Sequence, residues 1–155
     1  MITIKEVLKE NEKQEICSII LRSLPNWFGI EESILEYVEG VKGLPFFTVF
    51  DSDKYIGFVS IKNHNTYTAE IYVMGVLEEY HRKGIGKIII NYLEDYLRNN
   101  KTEFLTVKTL DESRKDLYYE KTRLFYMYMG FKPLEVFPLL WDESNPCLFM
   151  VKVIS

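Results

Sequence analysis

Between Thr68 and Asn100 an apolar run, a basic turn with two glycines and an amphipathic helix follow one another without a break. The run, Ala69 to Leu77, reads as a strand. Its period-two alternation puts Glu70, Tyr72, Met74 and Val76 on one face and Ala69, Ile71 and Val73 on the other. The turn, Glu78 to Lys87, gathers Arg82, Lys83 and Lys87 around Gly84 and Gly86. Beyond it Ile89, Leu93, Tyr96 and Leu97 recur at the i, i+4, i+7, i+8 spacing of one helix face. Glycines let the backbone curl its N–H groups inward, and the helix's first turn adds unpaired donors and the positive dipole end at the same point. The arrangement is a cradle for phosphate.

Spacing excludes two common phosphate loops. A Walker A loop needs glycine five residues before Gly86 and Ser or Thr after Lys87, where His81 and Ile88 stand. The dinucleotide fingerprint needs a further glycine three residues after Gly86, and the chain has Ile89.

The rest of the chain supplies the scaffold. Residues 2–7 read as a first strand, and Asn11-Glu12-Lys13-Gln14 as a capping box opening a helix that buries Ile16, Ile19 and Ile20. After the loop Leu24 to Gly29, a second helix carries Ile34, Tyr37, Val38 and Val41 and is released by Gly40 and Gly43. Pro45–Phe50, a turn at Asp51–Lys54 and a return over Tyr55–Lys62 form a hairpin, and Asn63–Thr66 turns into the organising strand. Phe104–Leu110 is a strand reached by a crossover and therefore parallel to it. A helix over Leu117–Met129, closed by Gly130, and strands Phe131–Phe137 and Leu148–Ile154 complete the order, with a loop at Leu139–Pro146. The expected class is α+β: a mixed, mainly antiparallel sheet with helices on both faces.

At 155 residues the chain is expected to be one domain, 1–155, able to bury a core unaided. It carries 19 Lys and Arg against 23 Asp and Glu, a net charge of −4 that argues against a general nucleic-acid binder and slightly favours a cationic acceptor. No run approaches the roughly 20 apolar residues of a membrane span, and the first residues lack a signal-peptide layout. A cytoplasmic protein is expected. Cys17 and Cys147 have no metal-like spacing and read as small buried residues, so no metal is expected.

The turn His81-Arg82-Lys83-Gly84-Ile85-Gly86 resembles the pyrophosphate loop of the GNAT-family N-acetyltransferases, Gln/Arg-x-x-Gly-x-Gly/Ala, with His81 in place of the usual Gln or Arg. Phe125-Tyr126-Met127-Tyr128-Met129-Gly130-Phe131 is similar to the family's Phe-Tyr-x-x-x-Gly-Phe motif. Upstream of it, Thr122 and Tyr119 stand where many members carry Ala and a cofactor-contacting Asn. The element order resembles the GNAT acyltransferase fold along the whole chain. The resemblance implies acetyl-CoA as co-substrate, bound where the organising strand splays from its parallel neighbour. The pantetheine arm would pair with main chain at Met74, Gly75 and Val76. The pyrophosphate would lie over His81, Arg82, Lys83, Gly84, Ile85, Gly86 and Lys87, with Thr122 also on the cofactor side. Gly75 marks either a bulge or close packing under a helix.

Acetyl transfer to an amine needs a base, because an alkyl ammonium near pKa ~10.4 is protonated at neutral pH. It also needs a donor for the developing oxyanion, which an N–H near Val76 would supply. Glu70 is the candidate base, its position similar to that of the catalytic glutamate in some members; an exposed end-of-strand Glu paired with a lysine across the hairpin is the alternative. Tyr126 is the candidate acid towards the departing thiolate. His81 reads as a phosphate or surface residue, and His64, in a polar turn, as solvated. Trp27, Phe28, Tyr118, Tyr119 and Trp141 either wall the acceptor pocket or cap the core, and Asp142 and Glu143 either meet a cationic acceptor or are solvated.

The expected activity is N-acetylation of a small-molecule or peptide amine, with no nucleic acid or membrane partner. The apolar last fifth of the chain offers a surface for a homodimer contact. Transfer from another acyl-CoA, and a non-catalytic CoA-binding module, are the alternatives.

Overall fold

A computed structural model describes residues 1–154. Its strands are β1 (Ile2–Glu6), β2 (Phe46–Asp51), β3 (Lys54–Asn63), β4 (Thr68–Val76), β5 (Phe104–Leu110), β6 (Lys132–Asp142) and β7 (Asn145–Val153). Its α-helices are α1 (Glu10–Arg22), α2 (Glu31–Gly40), α3 (Ile85–Asn99) and α4 (Leu117–Tyr128). The strands hydrogen-bond in the order β1-β2-β3-β4-β5-β7-β6. β4 and β5 pair in parallel, from Thr68↔Phe104 to Ile71↔Val107, whereas β1/β2, β2/β3, β5/β7 and β6/β7 are antiparallel. No helix among the described residues is long and apolar enough to cross a membrane.

The chain gathers into two compact units, Met1–Lys62 with Tyr72–Leu93, and Asn63–Ile71 with Glu94–Ser155. In the first, α1 buries Ile16, Cys17, Ile20 and Leu21, β2 and β3 bury Phe46, Phe47, Ile56 and Phe58, and α3 buries Ile89, Ile90 and Leu93. Phe46 and Phe58 stack with centroids 5.1 Å apart. In the second, β5 is registered with β7 from Phe104↔Val153 to Leu110↔Cys147. Leu105, Val107, Met129, Phe131 and Met150 are buried there.

α1 starts earlier than its sequence signal. Lys9 is the N-cap, with no side-chain bond, and Asn11 lies inside the first turn, where its Oδ1 accepts from the Glu12 N–H. Glu10 and Glu12 place negative charge in that turn, which suits the helix dipole without a capping box. Ile19 is exposed, and Cys17 and Leu21 take the buried positions beside Ile16 and Ile20. Gly40 does not release α2 through an unusual conformation: its φ is −65°, and a Cβ there would stand 2.1 Å from the Tyr72 hydroxyl. Gly75 is accounted for by packing, since a Cβ would meet Ile20 Cγ2 at 3.0 Å and Leu24 Cδ1 and Phe58 Cε1 at 3.3 Å.

At the other end of the chain, the expected loop at Leu139–Pro146 is a hairpin. β6 runs on to Asp142, whose Oδ1 accepts from the Ser144 N–H and the Asn145 side-chain amide, closing a tight turn into β7. β6 is the last strand in the sheet order. An edge strand tolerates Pro138, the residue before which the expected strand stops. α4 follows the sequence closely. Asp116 caps it by accepting from the Tyr118 and Tyr119 N–H groups, and Gly130 leaves it at φ +95°.

Candidate active site

In the first unit the residues after β4 form an anchored turn. Leu77 N–H donates to Ile56 O at 2.9 Å, and the Tyr80 hydroxyl donates to Asp51 Oδ2 at 2.7 Å. His81 N–H donates to Glu78 O at 3.0 Å, and its ring Nε2 lies 2.6 Å from the Val76 carbonyl oxygen, to which it donates. The Trp27 ring meets the His81 ring edge-on at 5.3 Å. His81 is thus a brace for the turn; its main-chain N–H and Nε2 are both committed to protein carbonyls.

Arg82 has φ +62° and Gly84 φ +82°, left-handed conformations flanking Lys83. The first bond across the entrance to α3 is from Ile88 N–H to Gly84 O, at 3.0 Å. Residues 81–84 curl as a hydrogen-bonded turn, and among the described residues no N–H of residues 82–87 makes a bond of good geometry to a protein group. Arg82, Lys83, Gly84 and Lys87 are exposed, Gly86 is half-buried and Ile85 roots the turn in the core. Consecutive amides in a left-handed turn at the head of a 15-residue helix are the geometry that receives an anion. Met74 and Val76 are half-buried at the end of β4, on the face opposite the buried Val73 and Gly75.

In the second unit the main feature is Glu70. Its side chain is 9% exposed; Oε1 lies 2.6 Å from His64 Nε2, and Oε2 lies 3.2 Å from Lys108 Nζ. Burying a carboxylate costs several kcal/mol unless it is paired, and both partners are supplied locally. Thr68 O accepts from the His64 N–H, and Asn65 Oδ1 accepts from the Tyr67 and Thr68 N–H groups, so the tight turn carries the imidazole back over β4. Lys108 arrives through the parallel register. Glu70 is opposite Thr106, and Lys108 is the next residue on that face of β5. Lys108 Nζ also stands 5.2 Å from the Phe149 ring centroid. These groups border a groove of about 560 Å³.

His64 stays exposed, as its polar turn implies, but turn geometry also brings its ring onto Glu70 of the strand it precedes. The lysine paired with Glu70 comes from the parallel strand β5 and not from across the hairpin, and period two along β5 points to Lys108.

Tyr126 is buried on the inner face of α4, its ring edge-on to Phe131 at 5.3 Å, while Leu124 and Tyr128 are exposed. The Thr122 hydroxyl donates to Tyr118 O at 3.3 Å. Asp142 is spent on its hairpin turn, and Trp141 lies exposed on β6. Phe28 and Tyr37 pack edge-on at 5.9 Å, as do Tyr37 and Tyr72 at 5.4 Å.

Burial pushes the Cys17 thiol up to about 12 and the Cys147 thiol up to about 11, so both stay protonated at neutral pH and neither is a nucleophile. Among the described residues no group of three or more His, Cys, Asp or Glu is placed to hold a metal ion.

A family model described as "Acetyltransferase (GNAT) family" matches residues 13–123. An uncharacterised N-acetyltransferase of Chlorobaculum tepidum is 28% identical over 119 residues, 75% of this chain and 66% of that protein, so this chain spans just under two thirds of that relative. Among solved structures, an aminoglycoside 6'-N-acetyltransferase complexed with coenzyme A superposes with a TM-score of 0.79 at 22% identity, covering 99% of this chain and 97% of the other. The ribosomal-protein-S18-alanine N-acetyltransferase of Escherichia coli gives 0.79 at 16% identity, covering 100% and 95%.

Proposed function

The chain belongs to the acetyltransferase (GNAT) family, and from that premise we propose that it transfers the acetyl group of acetyl-CoA directly to a primary amine of a small molecule or peptide. One observation carries the reading: the main-chain N–H groups of residues 82–87, none of them in a bond of good geometry to a protein group among the described residues, stand at the head of α3 among exposed Arg82, Lys83 and Lys87. That donor set fits a diphosphate, and a neighbour of the same fold is complexed with coenzyme A. Acetyl-CoA, when bound, supplies an acyl group activated as a thioester.

The chain's residues then divide the work. Residues 82–87 hold the diphosphate, and the main chain of Met74 and Gly75 is offered to the pantetheine arm, while the Val76 carbonyl already accepts from His81. Glu70 receives the proton that the attacking amine loses as its C–N bond forms. His64, hydrogen-bonded to Glu70 and 39% exposed at its side chain, passes that proton to solvent. Tyr126 supplies a proton to the sulfur as the C–S bond breaks. Thr122, its hydroxyl bonded to its own helix, shapes the cofactor side without contributing a charge.

A second reading has one observation in its favour. Both oxygens of Glu70 are already engaged, Oε1 by His64 and Oε2 by Lys108, as in a purely structural carboxylate. A CoA-binding module without transferase activity would look the same. Titration calorimetry with acetyl-CoA and thiol release across an amine panel separate the two. Micromolar-order binding with amine-dependent release supports transfer, binding without release supports the module, and no binding removes both.

A further inference from the structure

The groove beside Glu70 is lined by residues of two kinds. β4 and the turn before it bring Glu70, Thr68 and His64, and β5 brings Thr106 and Lys108. The rest of the lining is apolar: Phe104, registered opposite Thr68, with Phe149 and Val151 of β7 and Leu134 of β6. The cause is strand alternation. Leu105, Val107, Leu148 and Met150 turn into the core, which leaves Phe104, Phe149 and Val151 on the open face, with Leu134 of β6 at the margin and 62% exposed. The volume of about 560 Å³ lies within the roughly 300–1,000 Å³ typical of small-molecule sites.

We infer that this groove receives the acceptor, and that the acceptor is a monoamine on an apolar aryl or alkyl body rather than a polycation. The inference rests on the acetyl-transfer reading and names the substrate class of that site. Glu70 is the one carboxylate in the lining, and it is shared by His64 and Lys108. A polyamine's second and third ammonium groups find no further anion there and meet the fixed cation of Lys108. A monoamine that has given its proton to the Glu70–His64 pair brings no charge beside Lys108, and its body covers Phe149, Val151 and Leu134.

The test compares phenethylamine, ethylamine and spermidine as acceptors, by thiol release at saturating acetyl-CoA. The expected kcat/KM for phenethylamine exceeds that for the other two by about tenfold or more, the factor for burying a few methylene equivalents. Leu134→Glu is expected to lower phenethylamine use about tenfold and ethylamine use less than twofold. Val151→Thr, which keeps the side-chain volume, checks that any loss does not come from misfolding. Equal rates, a preference for spermidine, or a ranking unmoved by both variants would overturn the inference. Should acetyl-CoA bind while no amine is turned over, the transfer reading fails separately. The groove is then read by direct binding, with phenethylamine expected to perturb the Phe104 and Phe149 ring resonances at lower concentration than spermidine does, and the reverse order overturning it.

Discussion

The phosphate turn and the Glu70 cluster meet charge in opposite ways. In the turn, residues 82–87 hold out main-chain donors that make no bond of good geometry to protein among the described residues, and the cationic side chains around them are exposed. In the cluster, one buried carboxylate is gripped by His64 and Lys108, and every charged side chain already has a partner. A site made of amides depends on backbone conformation and tolerates side-chain replacement. A site made of interlocked side chains responds to each substitution, because removing one leaves another's charge uncompensated.

The contrast breaks or sharpens at four points, taken from the largest expected effect. Glu70→Gln is expected to lower kcat by roughly 10²–10⁴-fold, the usual range for a lost general base, with acetyl-CoA affinity within about twofold of wild type. Parallel losses in both would show that the two regions do not act separately. Gly84→Ala forces a side chain into φ +82°, where it meets no atom within 4 Å, so the penalty is conformational. At about 1 kcal/mol it corresponds to several-fold weaker acetyl-CoA binding by calorimetry. An unmoved Kd would remove the amides from the site.

Arg82→Ala and Lys83→Ala should each weaken acetyl-CoA binding by only a few-fold, with the difference vanishing near 1 M salt, where screening acts within about 3 Å. A loss that persists in high salt would mean directed contacts instead of a diffuse field. The smallest effect concerns the anchor of the turn. The Tyr80 hydroxyl holds the Asp51 carboxyl below its ordinary range, with Lys54 adding to it against the opposing effect of desolvation. A carboxyl depressed in the folded state contributes stability that is present above its ordinary value and lost as pH falls through the folded one. Tyr80→Phe should therefore lower the Tm slightly at neutral pH, with the gap closing in acid. A gap independent of pH would mean that the hydroxyl acts by packing.

What could be read in advance follows from this division. The turn was legible because it is local: glycine positions, the strand before and the helix after are all written within one continuous segment. Tyr126 was singled out by its motif, and the fold puts it on the inner face of α4 with Leu124 and Tyr128 exposed. His64 is exposed as a histidine in a polar turn should be, but its contact with Glu70 depends on the turn's curvature, which the sequence does not show. The extension of β6 to Asp142 was hidden by Pro138, which an edge position tolerates. Gly40 looked like a breaker but answers to Tyr72, and of the two readings open for Gly75, a bulge or close packing, the structure has packing against Ile20, Leu24 and Phe58, neighbours remote in sequence.

By itself the sequence determined the order of strands and helices, the alternation that turns Glu70 to one face of β4, and the amide-rich entrance to α3. All of these depend on residues within a few positions of each other. The tertiary structure alone decided that His81 would brace Val76 instead of reaching outward, that Lys108 and His64 would close on Glu70, and that Phe104, Phe149, Val151 and Leu134 would share one groove. Those outcomes turn on register and on how a turn curves, and both are settled by packing of the whole sheet, where a shift of one residue would send each of these side chains to the opposite face.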